Sequence, residues 1–204
     1  MPRTNFRPSL PPVTTPTHLL TSLALLARKD RPEANKWLLL GGFLPDAVIY
    51  WFFFWEGLVR GGSNEYLWDE LYFTPFWQAA VDYWNSIPLI LLALGLAFYR
   101  KILWLQALTL SMLVHVLGDL PVHNDDAHAH FLPLSNWKFI SPISYWDPSH
   151  YGDYFLWVEL IIIGVCLYCA YPRLNSKAAR RWLLGLGGFW FFICLAGGVF
   201  QIIY

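Results

Sequence analysis

The densest chemistry in the sequence begins at His115-Val-Leu-Gly-Asp119, an imidazole and a carboxylate four residues apart. On a helix that spacing puts both on one face, where they can share a metal ion or where the carboxylate can orient the imidazole. A buried His–Asp hydrogen bond between helices is the structural alternative. The loop His123-Asn-Asp125-Asp126-Ala-His128-Ala-His130 and the stretch Tyr145-Trp-Asp147-Pro-Ser-His150-Tyr-Gly-Asp153 follow, so five of the six histidines fall between 115 and 150. Imidazole and carboxylate are ligands for zinc, manganese or iron, and the absence of thiolates here argues against a structural Cys-type zinc site. Singly, His128 and His130 are expected to be exposed rather than ligating; together the cluster points to a divalent metal, zinc first, ahead of a merely solvated acidic loop. Leu44-Pro45-Asp46 adds a carboxylate, with a competing structural role beside the backbone that Pro45 frees. Cys166 and Cys169 form a C-x-x-C inside an apolar run and are expected to pack.

The elements that must position these groups belong to a membrane. Of 204 residues, 56% are hydrophobic, 19% aromatic and 14% charged, against roughly 25% charged in a soluble chain. Fourteen basic residues balance fourteen acidic ones, which leaves no global basic field for nucleic acid. The fold class expected is an all-α polytopic bundle, with apolar runs at 37–58, 75–99, 102–120, 154–172 and 181–204 as five spans. A shorter helix at 17–28, stopped upstream by Pro11, Pro12 and Pro16, is expected to be half-inserted or packed on the bundle, and residues 1–16 to be a flexible tail. A cleaved leader is the rival reading of this end, since Arg3 and Arg7 precede an apolar stretch ending at Ala27.

Arg28, Lys29, Arg31 and Lys36, then Arg100 and Lys101, then Arg173, Lys177, Arg180 and Arg181 mark three cytoplasmic loops, and the acidic loops 59–74 and 121–153 alternate onto the opposite side. Counting depth along such helices brings His18, Asp46, Asp82, His115, Asp119 and Glu159 into one zone of the outer half of the bilayer. Charges inside spans face a bundle interior and mark function by default.

The order of these motifs resembles a known family. Thr17-His18, Gly42-Phe-Leu-Pro45-Asp46, Asp82-Tyr-Trp-Asn85-Ser86, and His115-x-x-x-Asp119 running on to Pro133-Leu-Ser135 resemble the YdjM-like membrane-bound metal-dependent hydrolases, themselves distantly similar to zinc-dependent phospholipase C. The likeness covers residues 17 to about 136. It implies His18, Asp46, His115 and Asp119 as metal ligands, in a bacterial cytoplasmic membrane; the His-rich loop from 123 to 130 is longer than the family's and is expected to add substrate or metal contacts, His123 among them. Where the family carries His-Ser, this chain carries Asn85-Ser86; either Asp82, one turn earlier, takes that place, or the site is weakened. The activity implied is metal-assisted hydrolysis of a phosphoester or lipid-like substrate at the extracytoplasmic surface, with Asp82 or Glu159 as base. Transport of protons or cations, and an inactive structural role, are the rival classes.

Overall fold

The computed structural model of the protein describes residues 14–203, with side chains described through 197. Most of the expected tail at 1–16, with Arg3, Arg7, Pro11 and Pro12, lies outside the described residues, as does Tyr204. Among the described residues every regular element is helical. These are α1 (Thr15–Leu26), α2 (Asn35–Phe52, running on as π-helical turns through Phe53–Val59), a short α3 (Asn64–Tyr66, running on through Leu67–Leu71), α4 (Pro75–Trp84), α5 (Ile87–Tyr99), α6 (Leu103–Asp119), α7 (Gly152–Ala170) and α8 (Lys177–Ile203).

Four helical stretches, Pro32–Val59, Pro75–Tyr99, Gly152–Arg173 and Lys177–Gly197, are long and apolar enough to cross a membrane, the mark of an integral membrane protein. The fifth expected span, α6, is apolar but has 17 residues, or about 25 Å of helix against a hydrocarbon core of about 30 Å. Leu92, Tyr168 and Phe192 are among the large apolar side chains left outward on these helices.

Local chemistry explains the boundaries. Pro16 sits in the first turn of α1, where its missing N–H is not needed, and Ala27 turns extended to end the helix. The run expected as one span at 75–99 breaks at Asn85; Ser86 then caps α5 by accepting the Leu89 N–H at 3.3 Å. The segment 59–74, expected as a loop, is largely helical, because Leu67 and Tyr72 bury against Phe52, Trp77 and Val81 in an aromatic cap.

Helix α1 lies within the bundle, packed against α2, α6 and α7. Its Leu20, Leu23, Ala24 and Ala27 join Ile163, Cys166 and Ala170 in the main core, so Cys166 packs as expected. Small residues let the backbones approach. A Cβ on Gly41 would come 2.2 Å from the Leu108 carbonyl oxygen, so α2 and α6 meet there without room for a methyl group. One turn on, Ser111 Oγ lies 2.5 Å from the Leu38 carbonyl and 2.7 Å from Ser22 Oγ. The carbonyl can only accept, so Ser111 donates to it and Ser22 donates to Ser111. This ladder ties α1, α2 and α6 together just below the functional groups.

Candidate metal centre

His115 is fully buried on α6, and its Nδ1 lies 2.7 Å from the carbonyl oxygen of Gly42 on α2. A carbonyl has no proton to give, so Nδ1 carries the hydrogen and donates it. The other nitrogen, Nε2, is then the one that faces the carboxylates: 3.0 Å from Asp119 Oδ2 and 3.4 Å from Asp46 Oδ1. Neither approach is aligned as a hydrogen bond, and Nε2 is a buried polar atom with no partner.

Asp119 follows His115 by one turn and turns its Oδ1 to His18 Nε2 at 2.9 Å. The His18 ring stacks on the His115 ring with centroids 3.8 Å apart and planes 20° from parallel. Gly118 makes room for it, since a Cβ there would come 3.3 Å from His18 Cε1. Thr14 Oγ1 is a further neighbour of His18 Nε2 at 3.1 Å. On α2, Asp46 Oδ2 accepts a hydrogen bond from the Thr15 hydroxyl, which the Tyr50 hydroxyl in turn contacts at 3.1 Å.

The ligand atoms of His18, His115 and Asp119 lie within 4.8 Å of one another. Ligands at zinc bond lengths in a tetrahedron stand about 3.4 Å apart, so modest closure brings these three onto one ion. Two carboxylates, Asp46 and Asp119, with neutral imidazoles would balance a divalent charge, as a buried ion requires. The Nδ1–H bond to Gly42 is also the usual way in which a ligating histidine is oriented. The residues present fit a metal.

His123, one turn past Asp119, comes 3.7 Å from Asp119 Oδ1 through Nε2 while its Nδ1 faces Asp126 Oδ2 at 3.0 Å. Burial alone would lower its affinity for a proton; Asp126, then Asp119, override this and push the imidazole up to about 10. The next two histidines depart from expectation. His128 and His130 are buried, because the loop folds inward over the break between α4 and α5. Asp82 Oδ1 accepts the Ala129 N–H at 2.9 Å, the Ile87 N–H donates to the His130 carbonyl at 2.8 Å, and His130 Nδ1 lies 3.1 Å from the Asn85 carbonyl. The Ser86 hydroxyl bonds the Leu132 carbonyl. Burial, then the neighbouring His123, push His128 down to about 3.

Of the sequence-derived site residues, the structure thus gathers His18, Asp46, His115, Asp119 and His123. The other two make their polar contacts elsewhere. Asp82 faces the loop, with His128 Nδ1 at 3.7 Å and Lys138 Nζ at 3.5 Å, and Glu159 on α7 accepts the Thr17 hydroxyl at 2.5 Å. Asn85 donates through its amide N–H₂ to the Val81 and Pro45 carbonyls at 3.0 and 3.4 Å, a helix-end role, while its Oδ1 is buried without a hydrogen bond. Sequence reasoning missed the Gly42 carbonyl, Gly118, Thr15 and Asp126; only Asp126, three residues after His123, left a spacing that could have been read.

Comparison of the chain with protein-family models, with curated proteins and with solved structures finds no match.

Proposed function

We propose that the protein is a membrane-embedded metal-dependent hydrolase of a phosphoester, carried by a lipid-like molecule, as the YdjM-like resemblance implies. His18, His115 and Asp119 hold a divalent metal, zinc first, and Asp46 and His123 stand at its edge. The observation that carries the reading is His115 Nε2, buried and without a hydrogen bond, which in a neutral ring is the lone-pair nitrogen because Nδ1–H is committed to Gly42.

When bound, such a metal acidifies a water molecule and polarises a phosphoryl oxygen. The chain's own groups do the rest. Gly42 fixes the tautomer of His115, and Gly118 lets the His18 ring lie flat beside it. Asp46 is the more accessible of the two carboxylates facing His115, with 19% of its side chain exposed against 5% for Asp119. It takes the part of base that Asp82 and Glu159 were expected to fill, with the Thr15 hydroxyl holding its far oxygen.

In this reading α6 is a fifth crossing and the basic loops are cytoplasmic, which puts the centre toward the extracytoplasmic face of a bacterial cytoplasmic membrane. Metal analysis of the purified full-length protein, reconstituted with zinc and assayed on a chromogenic phosphodiester, tests the proposal. Wild type is expected to retain metal and hydrolyse the ester, and His115→Ala to lose both. Wild type that holds no zinc and cleaves nothing would leave His115, Asp119 and His18 as a helix-pairing network.

A further inference from the structure

Between the His-rich loop and α7 runs a segment whose chemistry is wrong for a loop in water. Residues 131–143 include Phe131, Leu132, Leu134, Trp137, Phe139, Ile140 and Ile143, and Lys138 is their only charge. Leu134 is 81% exposed, Ile140 65% and Trp137 56%. Lys138 does not relieve this surface, because its Nζ turns inward to Gln78 Oε1 at 3.2 Å and Asp82 Oδ2 at 3.5 Å.

The apolar side chains face outward on a segment that is firmly held. Before it, the Ile87 N–H bonds the His130 carbonyl at 2.8 Å, and the Ser86 hydroxyl bonds the Leu132 carbonyl. Toward its far end Asn124 Nδ2 donates to the Ser141 carbonyl at 2.5 Å and the Ser141 N–H to the His123 carbonyl at 3.0 Å. Phe131, Trp137 and Phe139 form a file of rings with centroids 5.7 and 6.3 Å apart.

We propose that residues 131–143 are an interfacial segment seated in the headgroup and upper acyl layer of the bilayer, so that the lipid surface is their partner. Continuity selects this occupant. The Lys138–Gln78 bond fastens the segment to α4, the first half of the membrane-length stretch Pro75–Tyr99, and α4 leaves Phe76, Tyr83 and Trp84 outward. The segment and the helix that holds it thus both leave apolar side chains outward. An uncharged outer face rich in Trp and Phe suits the boundary between water and hydrocarbon, where aromatic rings concentrate, whereas so extended an apolar patch is rare on a surface meeting water alone. The inference stands whether or not the centre binds a metal.

The test uses full-length protein in nanodiscs of phosphatidylcholine and phosphatidylglycerol. Single cysteines at Leu134→Cys, Ile140→Cys and, as a water control, Asp125→Cys are placed in a background with Cys166, Cys169 and Cys194 replaced by Ala, and labelled with an environment-sensitive fluorophore. Labels at 134 and 140 are expected to be quenched by lipids carrying a nitroxide near the top of the acyl chain and spared by aqueous iodide, with the opposite pattern at 125. Iodide quenching at 134 and 140 would overturn the proposal by putting the segment in water. Shielding from both quenchers would overturn it as well, by showing a second copy or another protein on this face. Should the cysteine-free background not fold, wild type and Trp137→Phe in brominated phosphatidylcholine give the same answer: the variant is expected to lose a lipid-quenchable share of tryptophan emission, and an unchanged share refutes the assignment.

Discussion

Asp119→Asn separates the two things Asp119 can be doing. Its carboxylate faces His18, His115 and His123 nitrogens at 2.9, 3.0 and 3.7 Å. Asparagine keeps the shape and one acceptor oxygen but removes the charge and turns an N–H₂ toward these rings. In the metal-free protein, breaking a buried pair in this way costs about 3–5 kcal/mol, a large share of a domain's ~5–15 kcal/mol. The effect of metal is then read on top. Zinc at 100 times its Kd stabilises a binding-competent chain by about 2.7 kcal/mol, which for a chain of this size raises the melting temperature by about 5–10 °C. Loss of an outer partner of a metal site weakens affinity by ~10–100-fold, and loss of a ligand should do at least that. A 100-fold loss at the same zinc concentration leaves about 0.4 kcal/mol, a shift of about 1 °C. Thermal melting of both proteins with and without zinc, after chelator treatment and beside metal analysis, measures this. An equal zinc-induced shift in Asp119→Asn would refute Asp119 as a ligand, and no shift in either protein would refute the metal.

Gly41→Ala places a methyl group 2.2 Å from the Leu108 carbonyl oxygen; α2 and α6 must part, and a loss of at least ~1–3 kcal/mol is expected on melting, with an unchanged curve showing that the backbones do not meet. Asn85→His removes the amide bonds to Val81 and Pro45 and is expected to lower the melting temperature without adding metal; a gain in bound zinc would instead restore position 85 as a ligand site. For His128, held down to about 3 in the fold mainly by burial against about 6.5 in an unfolded chain, the unfolded state takes the proton first, so stability present above pH ~6.5 is lost as pH falls toward 3. In the metal-free protein His128→Gln should flatten that acid limb, and an identical pH–melting curve would refute the buried neutral ring. His123, held up at about 10 against burial by Asp126 and Asp119, contributes in the opposite sense: its share is full below pH ~6.5 and is lost as pH rises through about 10. Asp126→Asn should shrink that alkaline loss, as a pH–melting series will show.

What was legible followed from periodicity and charge, and what was not depended on tertiary contacts. Apolar runs between charges located the spanning stretches, since lipid forbids polar interruptions over about 20 residues. The four-residue spacing of His115 and Asp119 put them on one face, and depth along the helices brought Asp46 and His18 to the same layer. The break in 75–99 was visible as Asn85-Ser86, but its use was not: the Ser86 hydroxyl and the Ile87 N–H take up backbone carbonyls of the inward-folded loop, and the Asn85 carbonyl meets the His130 ring. No local pattern shows that a loop rich in His and Asp will bury, because the acceptors that satisfy it lie some 45 residues away in sequence. Depth alone also failed to separate Asp82 from the group around Asp119, since rotation about the helix axis, and not height, decides which neighbour a side chain meets.

The protonation of His115 bears on whether that group is an ion-pair network or a metal site. With Nδ1 of His115 committed to Gly42, the network requires Nε2 to be protonated as well, making the ring a cation against Asp119 and Asp46. That places a full charge on a ring buried within the bundle and leaves Nε2 poorly aligned with the carboxylates that are meant to receive its hydrogen. A divalent ion removes both difficulties. It takes the Nε2 lone pair directly, lets both stacked rings stay neutral, and sets its two positive charges against the two carboxylates within a layer where an unbalanced charge would be costly.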